Sequence, residues 1–434
     1  MKWLYNIGIF LYGLGIHISA ITNDKAKSWK LGRQYIFAAL RLQIKKHDRI
    51  IWVHCASYGE FEQGKPLIEK IKQDWPEYKV LLTFFSPSGY KHFHNYNKAD
   101  YIFYLPLDRP YNARRFLDIV HPQYIFFIKY EYWFNYIREA YRRKIPFYVV
   151  SAIFRPEQYF FRFYAKWFLR QLRKITFLFV QNEDSRHLLQ HHHIMQCEVY
   201  GDTRFDTVLE TVREVQENEI VRRFSEGRRV IIAGSTWEPD EKILHALMTT
   251  TNYSLILTPH EVRPSRLQSI DRMFHDIEHI TYSEALARDK RDFSGIRLLV
   301  IDTVGLLKTL YPYAQVAYIG GGFGRGIHNT LEAATFGLPI IFGPKYGHFR
   351  EACDLVDWGG AFCVHDETEL QETFHKLTAD ENHLQKSGQI CRKYVTRHTG
   401  ISERILKRAI GAPSEEAKTT STPDLNGTSA TTLQ

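Results

Sequence analysis

The sequence contains few of the residues that build metal sites and disulfide frameworks. Its 434 residues include five cysteines, at positions 55, 197, 353, 363 and 391, and no pair of them has C-x-x-C spacing. An odd, unpatterned set of thiols is typical of a protein that keeps its cysteines reduced. The histidines at 191 to 193 are contiguous rather than three or four residues apart, so they also make a poor zinc site.

The two common glycine-rich nucleotide fingerprints are also missing. The stretch from 319 to 344, IGGGFGRGIHNTLEAATFGLPIIFGP, fits neither G-x-G-x-x-G nor G-x-x-x-x-G-K-[ST]. Asn329 is a good N-cap, and Glu332 follows three residues later, as in a capping box. The pattern predicts a strand, a loop whose glycines let backbone approach a ligand, and a helix whose N-terminus holds an anion. A tight turn and a capped helix without any ligand are the alternative.

Positive charge is in excess, but no nucleic-acid-binding signature accompanies it. The formal net charge is +9, and a cluster of basic residues lies between 25 and 49. Ahead of this cluster, residues 3 to 21 read WLYNIGIFLYGLGIHISAI, a stretch of 19 residues without a formal charge. Its length is borderline for a membrane span, its aromatic residues suit a membrane interface, and no convincing signal-peptide cleavage site follows. We expect an anchor or interfacial helix at the membrane, and a buried first helix of a soluble fold is the alternative.

Short apolar runs alternate with helical patterns along most of the chain, which predicts an α/β protein with two doubly wound domains. The alternation restarts after a polar helical segment near 206 to 225. Because open parallel sheets bind ligands beyond the carboxyl ends of their strands, we expect the two domains to face one cleft. The predicted segments are an N-terminal membrane anchor or interfacial helix (1–24), a first domain (25–205), a second domain with closing helices (206–412) and a Thr/Ser-rich disordered tail (413–434).

Three charged residues follow predicted strands of the first domain. Glu60, in HCASYGEF, falls in the first turn of a predicted helix, where the helix dipole favours a negative charge and a general base is well placed. Glu131 follows another strand, and Arg204 follows the apolar run near the domain junction. A carboxylate and a guanidinium there are suited to orient an acidic sugar or to polarise a leaving group. The alternative for Glu60 is an ordinary acidic residue at a helix N-terminus. The alternative for Glu131 and Arg204 is a structural ion pair.

Seven motifs, taken in chain order, resemble the 3-deoxy-D-manno-octulosonic acid (Kdo) transferases of lipopolysaccharide and lipid A biosynthesis. They are HCASYGE, KYEYW, GDTRFD, AGSTWEPDE, TPHEVRPSR, DTVGLLKTLY and GGGFGRGIHNTLEAATFGLPIIFGP. The resemblance runs from the N-terminal segment to about residue 405. It implies a GT-B glycosyltransferase fold, with two Rossmann-like domains facing a cleft and an N-terminal membrane-associated helix.

The resemblance also implies an activity. The expected enzyme is an inverting glycosyltransferase, a lipid IVA Kdo transferase, which moves Kdo from CMP-Kdo to a lipid A precursor without a metal or other cofactor. It implies membrane association at the cytoplasmic side of the inner membrane, and we expect no nucleic-acid partner.

Site residues follow from the same resemblance. Glu60 matches the general base, and Glu131 and Arg204 match positions that stabilise the transition state. The expected donor-binding residues lie in the second domain: Pro259, His260, Val304, Gly305, Leu306, Asn329, Thr330, Leu331 and Glu332. The loop at 319 to 329 would hold the CMP phosphate, and Glu332 would reach the ribose. The family usually has lysine where Arg204 stands, arginine where His260 stands and glutamate where Leu306 stands.

Two other classes of function stay open on the sequence. Another GT-B nucleotide-sugar enzyme, such as a UDP-sugar transferase or epimerase, would share the two domains and the glycine-rich loop. A non-catalytic membrane-bound scaffold would explain the N-terminus and the charge but not the strand-end motifs. Binding of CMP in preference to UDP distinguishes these possibilities.

Overall fold

The computed structural model of the protein describes residues 1–162, 165–214, 216–289 and 292–413. Apart from its first residue, the predicted tail at 413–434 lies outside the described residues. The chain divides into two compact units. The first unit comprises Met1–Thr207 together with the segment that begins at Gly400, and the second unit is Val208–Thr399.

The first unit is built on a parallel sheet of seven strands in the order β3-β2-β1-β4-β5-β6-β7. Strands such as IIWVHC are buried at every residue, as expected where helices cover both faces of a parallel sheet. The strands are β1 (Ile50–Cys55), β2 (Lys79–Phe84), β3 (Tyr101–Tyr104), β4 (Tyr124–Ile128), β5 (Phe147–Ala152), β6 (Phe177–Val180) and β7 (Cys197–Val199).

Helices connect these strands and precede the first of them. They are α1 (Lys2–Ser19), α2 (Asp24–Leu31), α3 (Ile36–Gln43), α4 (Tyr58–Asp74), α5 (Pro87–Phe93), α6 (Pro110–Val120), α7 (Phe134–Arg142), α8 (Lys166–Leu172), α9 (Glu183–His191) and α10, which begins in this unit (Arg204–Glu214). A 3-10 turn at Tyr159–Phe161 precedes α8.

The second unit repeats the design with seven parallel strands in the order β10-β11-β9-β8-β12-β13-β14. The strands are β8 (Val230–Thr236), β9 (Ser254–Pro259), β10 (His279–Thr281), β11 (Leu298–Val300), β12 (Val316–Ile319), β13 (Ile340–Phe342) and β14 (Ala361–Cys363). The helices are α11 (Glu219–Ser225), α12 (Glu238–Thr250), α13 (Pro264–Met273), α14 (Tyr282–Ala287), α15 (Leu307–Leu310), α16 (Leu331–Thr335), α17 (Arg350–Trp358), α18 (Glu367–Thr378) and α19 (Glu381–Arg397), with a 3-10 turn at Tyr311–Tyr313.

Each sheet has one point where the order of its strands reverses. In the first unit this switch point lies between β1 and β4, and in the second unit it lies between β8 and β12. In open α/β sheets, the carboxyl ends of the two strands at such a point diverge to their helices on opposite faces and leave a crevice for ligands. The predicted pair of doubly wound parallel sheets is therefore confirmed, and each sheet has a position suited to bind a ligand.

The N-terminal helix α1 packs against the first unit on one face only. Ile9 and Gly13 are buried, and the Tyr5 hydroxyl donates a 2.5 Å hydrogen bond to the buried carboxylate of Asp108. The opposite face carries an exposed stripe that comprises Leu4, Ile7, Leu11, Leu14 and Ile18. Within the described residues, no single helix has the length and hydropathy of a membrane span. Lys2–Ser19 and Asp24–Leu31 satisfy these criteria only as a pair, with a bend of 118° between them.

The last described helix, α20 (Ile401–Ala409), packs with the first unit and contacts α4. The Asp206 carboxylate accepts hydrogen bonds from the backbone N–H groups of Gly400, Ile401 and Ser402, at 2.6 to 3.2 Å, and so caps the start of this helix. The sequence-based division places these residues in the 206–412 segment instead. Sequence order alone does not show which surface a C-terminal helix covers.

Candidate active site

Glu60 lies at the switch point of the first sheet. It stands in the first turn of α4, directly after β1, and its side chain is partly exposed. Ser57 occupies the N-cap position but makes no capping bond, and its hydroxyl donates to Oε2 of Glu60 instead. Oε1 of Glu60 accepts no hydrogen bond from the described residues and is therefore available to take a proton.

Glu131 lies after β4, the other strand of the switch point, and two side chains hold it. Its Oε2 accepts hydrogen bonds from Nε2 of His54 at 2.8 Å and from the Trp133 indole at 2.5 Å. His54 is fully buried on β1, where its register partner on β2 is Thr83. Nδ1 of His54 lies 2.9 Å from the Thr83 hydroxyl, which accepts a hydrogen bond from the Trp52 indole at 2.7 Å.

With a neutral imidazole and an ionised Glu131, one arrangement of protons satisfies this network, although Nδ1 of His54 also lies 3.1 Å from the Thr83 carbonyl oxygen. The Thr83 hydroxyl accepts from Trp52 and donates to Nδ1 of His54, and Nε2–H of His54 then donates to Glu131. The tautomer is assigned from the hydrogen bonds. A buried chain from the sheet thus fixes the orientation of the Glu131 carboxylate, which is 19% exposed. Sequence reasoning singled out neither His54 nor Trp133, although they lie in the HCASYGE and KYEYW motifs.

Arg204, the first residue of α10, is engaged in an ion pair. Its guanidinium contacts Oδ2 of Asp202 at 2.8 and 2.9 Å, and its backbone N–H donates to Oδ1 at 3.0 Å. Burial by itself would raise the pKa of the Asp202 carboxyl, but the charge and hydrogen bonds of Arg204 hold it below its ordinary value. The amide of Gln63 on α4 also donates to Asp202, at 2.8 Å. Arg204 is therefore fixed by a structural pair while 29% of its side chain stays exposed.

Glu60, Glu131 and Arg204 follow the carboxyl ends of β1, β4 and β7, three strands of one parallel sheet. Burial, followed by the charges of Glu60 and Glu131, raises the pKa of the Cys55 thiol at the end of β1 well above its ordinary value. Burial also raises the pKa of Tyr130, which feels the charges of Arg204 and Glu60. The fold therefore brings Glu60, Glu131 and Arg204 to the same end of the first sheet.

The second unit has a cavity of about 250 Å³ at its switch point, between the ends of β8 and β12. This switch-point cavity includes three of the predicted donor-binding residues, Gly305, Asn329 and Glu332. The other lining residues are Gly234, Ser235, Leu307, Lys308, Tyr311, Ile319 and His328. Residues from four separate chain segments thus meet where an open sheet is expected to bind a ligand.

Glu332 and Asn329 interact inside this cavity. The Asn329 amide donates to Oε1 of Glu332 at 3.1 Å, and Nζ of Lys308 lies 3.8 Å from the same oxygen. Oδ1 of Asn329 accepts from the backbone N–H of Leu331 at 3.0 Å. The predicted capping box is wrong in detail, because Thr330 occupies the N-cap position and Glu332 pairs with the Asn329 side chain.

The helix that follows is short. α16 has five residues, and the chain turns at Gly337, whose φ is +75°. Few peptide dipoles add up in so short a helix, so its attraction for an anion is weaker than that of a helix of several turns. Lys308 supplies the positive charge inside the cavity instead.

An aromatic stack stands beside the cavity. His260 lies between Trp237 and His328, with ring centroids 4.8 and 4.4 Å apart and interplanar angles of 30° and 22°. Burial, followed by the proximity of His260, lowers the pKa of His328 to about 4. A neutral His328 accepts a 3.2 Å hydrogen bond from the Trp237 indole at its Nε2. The predicted donor residue His260 is therefore held by a stack that the sequence did not reveal.

The remaining predicted donor-binding residues do not line the cavity. Pro259, Thr330 and Leu331 are buried, Leu306 is half-buried, and Val304 is 84% exposed.

Three further cavity residues, Ser235, Lys308 and His328, were missed by sequence reasoning. Ser235 adopts φ +56°, an uncommon conformation for a residue other than glycine, at the point where the register of β8 with β9 shifts. Lys308 lies in the DTVGLLKTLY motif and His328 in the glycine-rich motif, so the motifs were a signal that could have drawn attention to them. A single sequence does not show that the two residues share a cavity.

The glycine-rich loop is shaped by packing within the protein. A Cβ atom on Gly320 would lie 2.4 Å from the Ser235 carbonyl oxygen, and one on Gly322 would lie 2.6 Å from the backbone of Gly343. Of Gly320, Gly322 and Gly324, only Gly324 has room for a Cβ atom, whose nearest neighbour would be 3.5 Å away. Packing within the protein therefore requires glycine at Gly320 and Gly322, and the expectation that the loop approaches a ligand stays a prediction.

Comparison with known proteins agrees with the motifs. Residues 30–207 match the family model described as 3-Deoxy-D-manno-octulosonic-acid transferase (kdotransferase). The chain is 27% identical over 343 residues to a 3-deoxy-D-manno-octulosonic acid transferase of Aquifex aeolicus, covering 75% of this chain and 85% of that protein. It is 24% identical over 372 residues to the enzyme of that name from Haemophilus influenzae, covering 82% and 85%. It also matches a bifunctional glycosyltransferase/methyltransferase of Fusobacterium nucleatum at 27% identity, but spans only 48% of that protein's length.

Solved structures share the fold at low sequence identity. UDP-GlcNAc 2-epimerase from Neisseria meningitidis superposes with a TM-score of 0.59 at 15% identity, covering 82% of this chain and 98% of that one. A glycosyltransferase from Rickettsia africae gives 0.56 at 10% identity, covering 84% and 98%. The GT-B prediction is confirmed for the two Rossmann-like domains, and the sequence matches confirm the resemblance of this chain to the Kdo transferases and support a Kdo glycosyltransferase.

Proposed function

We propose that this protein is an inverting glycosyltransferase that transfers Kdo from CMP-Kdo to a lipid A precursor, lipid IVA. The observation that carries the proposal is the partly exposed Glu60 carboxylate at the end of β1, within the part of the chain that matches the Kdo transferase family model. The second unit is assigned to bind the donor, and the first unit is assigned to supply the general base.

Glu60 is assigned as the general base. Its Oε2 is held by Ser57, and its Oε1 takes the proton of the acceptor hydroxyl as that oxygen attacks the anomeric carbon of Kdo. The bond between the anomeric carbon and the CMP phosphate oxygen breaks in the same step, and CMP leaves with the electron pair. A single displacement inverts the configuration of the anomeric carbon. Glu131 and Arg204 are assigned to stabilise the charge that develops in the sugar, because fixed groups act without reorganisation at the moment of reaction.

Donor binding is assigned to the switch-point cavity. The Glu332 carboxylate is suited to accept hydrogen bonds from the ribose hydroxyls, and Lys308 is suited to pair with the phosphate. The stacked rings of Trp237 and His260 offer an aromatic face next to the cavity. The loop at 319 to 329 stays our assignment for the phosphate contact, with Gly324 as the glycine that has room for it.

We further propose that transfer needs no metal or other cofactor. In the described ranges, no group of three or more His, Cys, Asp or Glu side chains is arranged to hold a metal ion. The positive charges assigned to the reaction are Lys308 and Arg204. The measurement is the transfer rate after treatment with EDTA, which should be unchanged, and recovery of a lost rate by added Mg²⁺ would refute this part.

We propose that α1 attaches the protein to the cytoplasmic side of the inner membrane. Its exposed stripe is apolar along the whole helix, and basic residues follow it in the sequence. Because the other face of α1 packs through Ile9 and Gly13, deleting the helix would expose part of the first unit. The sharper test uses Leu4, Leu11 and Ile18, which lie on the exposed stripe and are 57 to 63% exposed. All three are replaced by serine in one variant.

The serine variant should keep the melting temperature of the wild type and lose binding to vesicles of phosphatidylethanolamine and phosphatidylglycerol. Unchanged binding to these vesicles would contradict the membrane assignment.

The central experiment is mass analysis of the product formed from CMP-Kdo and a tetra-acylated disaccharide bisphosphate. Addition of the mass of one or more Kdo residues, with release of CMP, is the expected result. A melting-temperature rise with UDP but not with CMP would instead favour a UDP-sugar transferase or epimerase. Failure to bind either nucleotide would favour a scaffold.

A further inference from the structure

A second groove, on the first unit, has the chemistry of an anion site. It has a volume of about 590 Å³ and lies among α1, α2, α3 and the start of α6. Four of the side chains that line it are basic: His17, Lys30, Arg33 and Arg109. No carboxylate is among the described residues that line this basic groove.

Arg33 and Arg109 have different roles in the basic groove. The Arg33 guanidinium donates to three backbone carbonyl groups at 2.6 to 3.2 Å and packs 3.9 Å from the centre of the Trp29 ring. Burial lowers the pKa of Arg33 to about 9. Arg109 makes no ion pair within the described residues, and its buried Nε–H has no acceptor. Lys30 is exposed and likewise forms no ion pair there.

The start of α6 adds to the positive potential of the groove. Arg109 is the N-cap of this 11-residue helix, no side chain caps its first turn, and the first turn contains no acidic residue. Asn112, from that first turn, lines the groove. Uncapped N–H groups at the positive end of a helix bind anions such as phosphate. The nine-tenths-buried Trp29, which lines the same groove, also has an indole N–H without an acceptor.

Apolar surface and the candidate active site both adjoin the groove. His17 of α1 lines it, and the exposed Phe10 ring of the same helix lies 5.4 Å from the Arg109 guanidinium. On the inner side, the Arg33 guanidinium lies 4.9 Å from the Phe85 ring, which packs 4.8 Å from Trp133. Since Trp133 donates to Glu131, a chain of contacts through two aromatic side chains connects the groove with that carboxylate.

We propose that the basic groove binds a phosphate of an acylated, phosphorylated acceptor, through Arg109, Lys30 and the start of α6, with acyl chains along the exposed stripe of α1. This rests on the proposed function, because the occupant is the lipid that receives the sugar. The charge of the groove selects the phosphate, and the apolar stripe selects the acyl chains.

The test compares two double variants in the transfer assay with a tetra-acylated disaccharide bisphosphate. Arg109→Gln with Lys30→Ala should raise KM for this acceptor by about tenfold or more, because hydrogen bonds to charged groups are lost. KM for CMP-Kdo and the melting temperature should stay close to those of the wild type. The matched control is Lys45→Ala with Lys46→Ala, two exposed lysines outside the groove, which should change KM by no more than about twofold.

A phosphate-free acceptor distinguishes recognition from a general effect. On that substrate, the wild type and the groove variant should have the same KM. An unchanged KM for the bisphosphate, or an equal loss on both acceptors, would overturn the inference. If the wild type transfers no sugar, the proposed function itself is refuted. That outcome is distinct from failure of the groove assignment, because it is measured before any variant is compared. Arg109→Lys should recover part of the lost affinity, since it restores the charge but not the fork of donors.

Discussion

Replacing Glu60 by glutamine is the most direct test of the assigned chemistry. The substitution keeps the size of the side chain and leaves an oxygen that can accept a hydrogen bond from Ser57. It removes the ability to take a proton at neutral pH. Loss of a general base typically costs about 10²–10⁴ in rate, which corresponds to about 3–5 kcal/mol of activation free energy.

The cost to stability is expected to be much smaller. A negative charge in the first turn of a helix contributes about 0.3–1 kcal/mol, and weakening the bond from Ser57 adds about 1 kcal/mol. In a unit of this size, each kcal/mol lowers the melting temperature by about 2–4 °C. The variant should therefore stay folded at assay temperature while its turnover nearly disappears.

The assay measures kcat on CMP-Kdo and acceptor together with the melting temperature and CMP affinity. Glu62→Gln is the matched control, because it removes the same charge from the same helix two residues further on. It should produce a similar small loss of stability and leave kcat within a few-fold of the wild type. Turnover by Glu60→Gln within a few-fold of the wild type would refute the assignment of the base.

Three other predictions follow from the structure. Gly322→Ala should lower the free energy of unfolding by about 1–3 kcal/mol because its Cβ would meet the backbone of Gly343, whereas Gly324→Ala should be nearly neutral; equal denaturation midpoints would contradict this packing. His54→Ala should lower kcat without changing CMP affinity, since it releases Glu131, and unchanged kcat would remove His54 from the positioning network. The pKa of His328 is about 4 in the folded protein and 6.5 in the unfolded chain, so the unfolded chain binds the proton more readily. The contribution of His328 to the free energy of unfolding is therefore complete above pH 6.5 and is lost as the pH falls through about 4. The melting temperature should thus depend less on pH between those values in His328→Gln, and identical pH profiles would contradict the predicted titration.

Local sequence patterns determined much of the fold. Strands buried on both faces are predominantly apolar, so runs such as those of β1 and β4 were recognisable without any partner. The placement of Glu60 followed from its position after such a run and at the start of a helix. These features depend on neighbours within a few residues, which a single sequence records directly.

Other local features were misjudged because close neighbours come from distant parts of the chain. Gly320 and Gly322 were interpreted only through a ligand, and the sequence did not reveal that a Cβ atom at either position would meet the backbone of Ser235 or Gly343. The helix after Asn329 and its end at Gly337 were recognised, but its N-cap is Thr330, and the Asn329 side chain pairs with Glu332 instead. The position of α20 was decided by Asp206, almost two hundred residues earlier.

The tertiary structure alone decided which charged groups work together. His54 reaches Glu131 because β1 lies between β2 and β4, an arrangement that strand order creates and chain order conceals. The switch-point cavity likewise gathers Ser235 of β8, Lys308 of α15 and Glu332 of α16 from separate segments of the chain. Sequence determines which residues form strands and helices through short-range periodicity and capping. The order and register of the strands determine which side chains meet at the ends of the strands and helices. Strand order and register in turn depend on the packing of the whole unit.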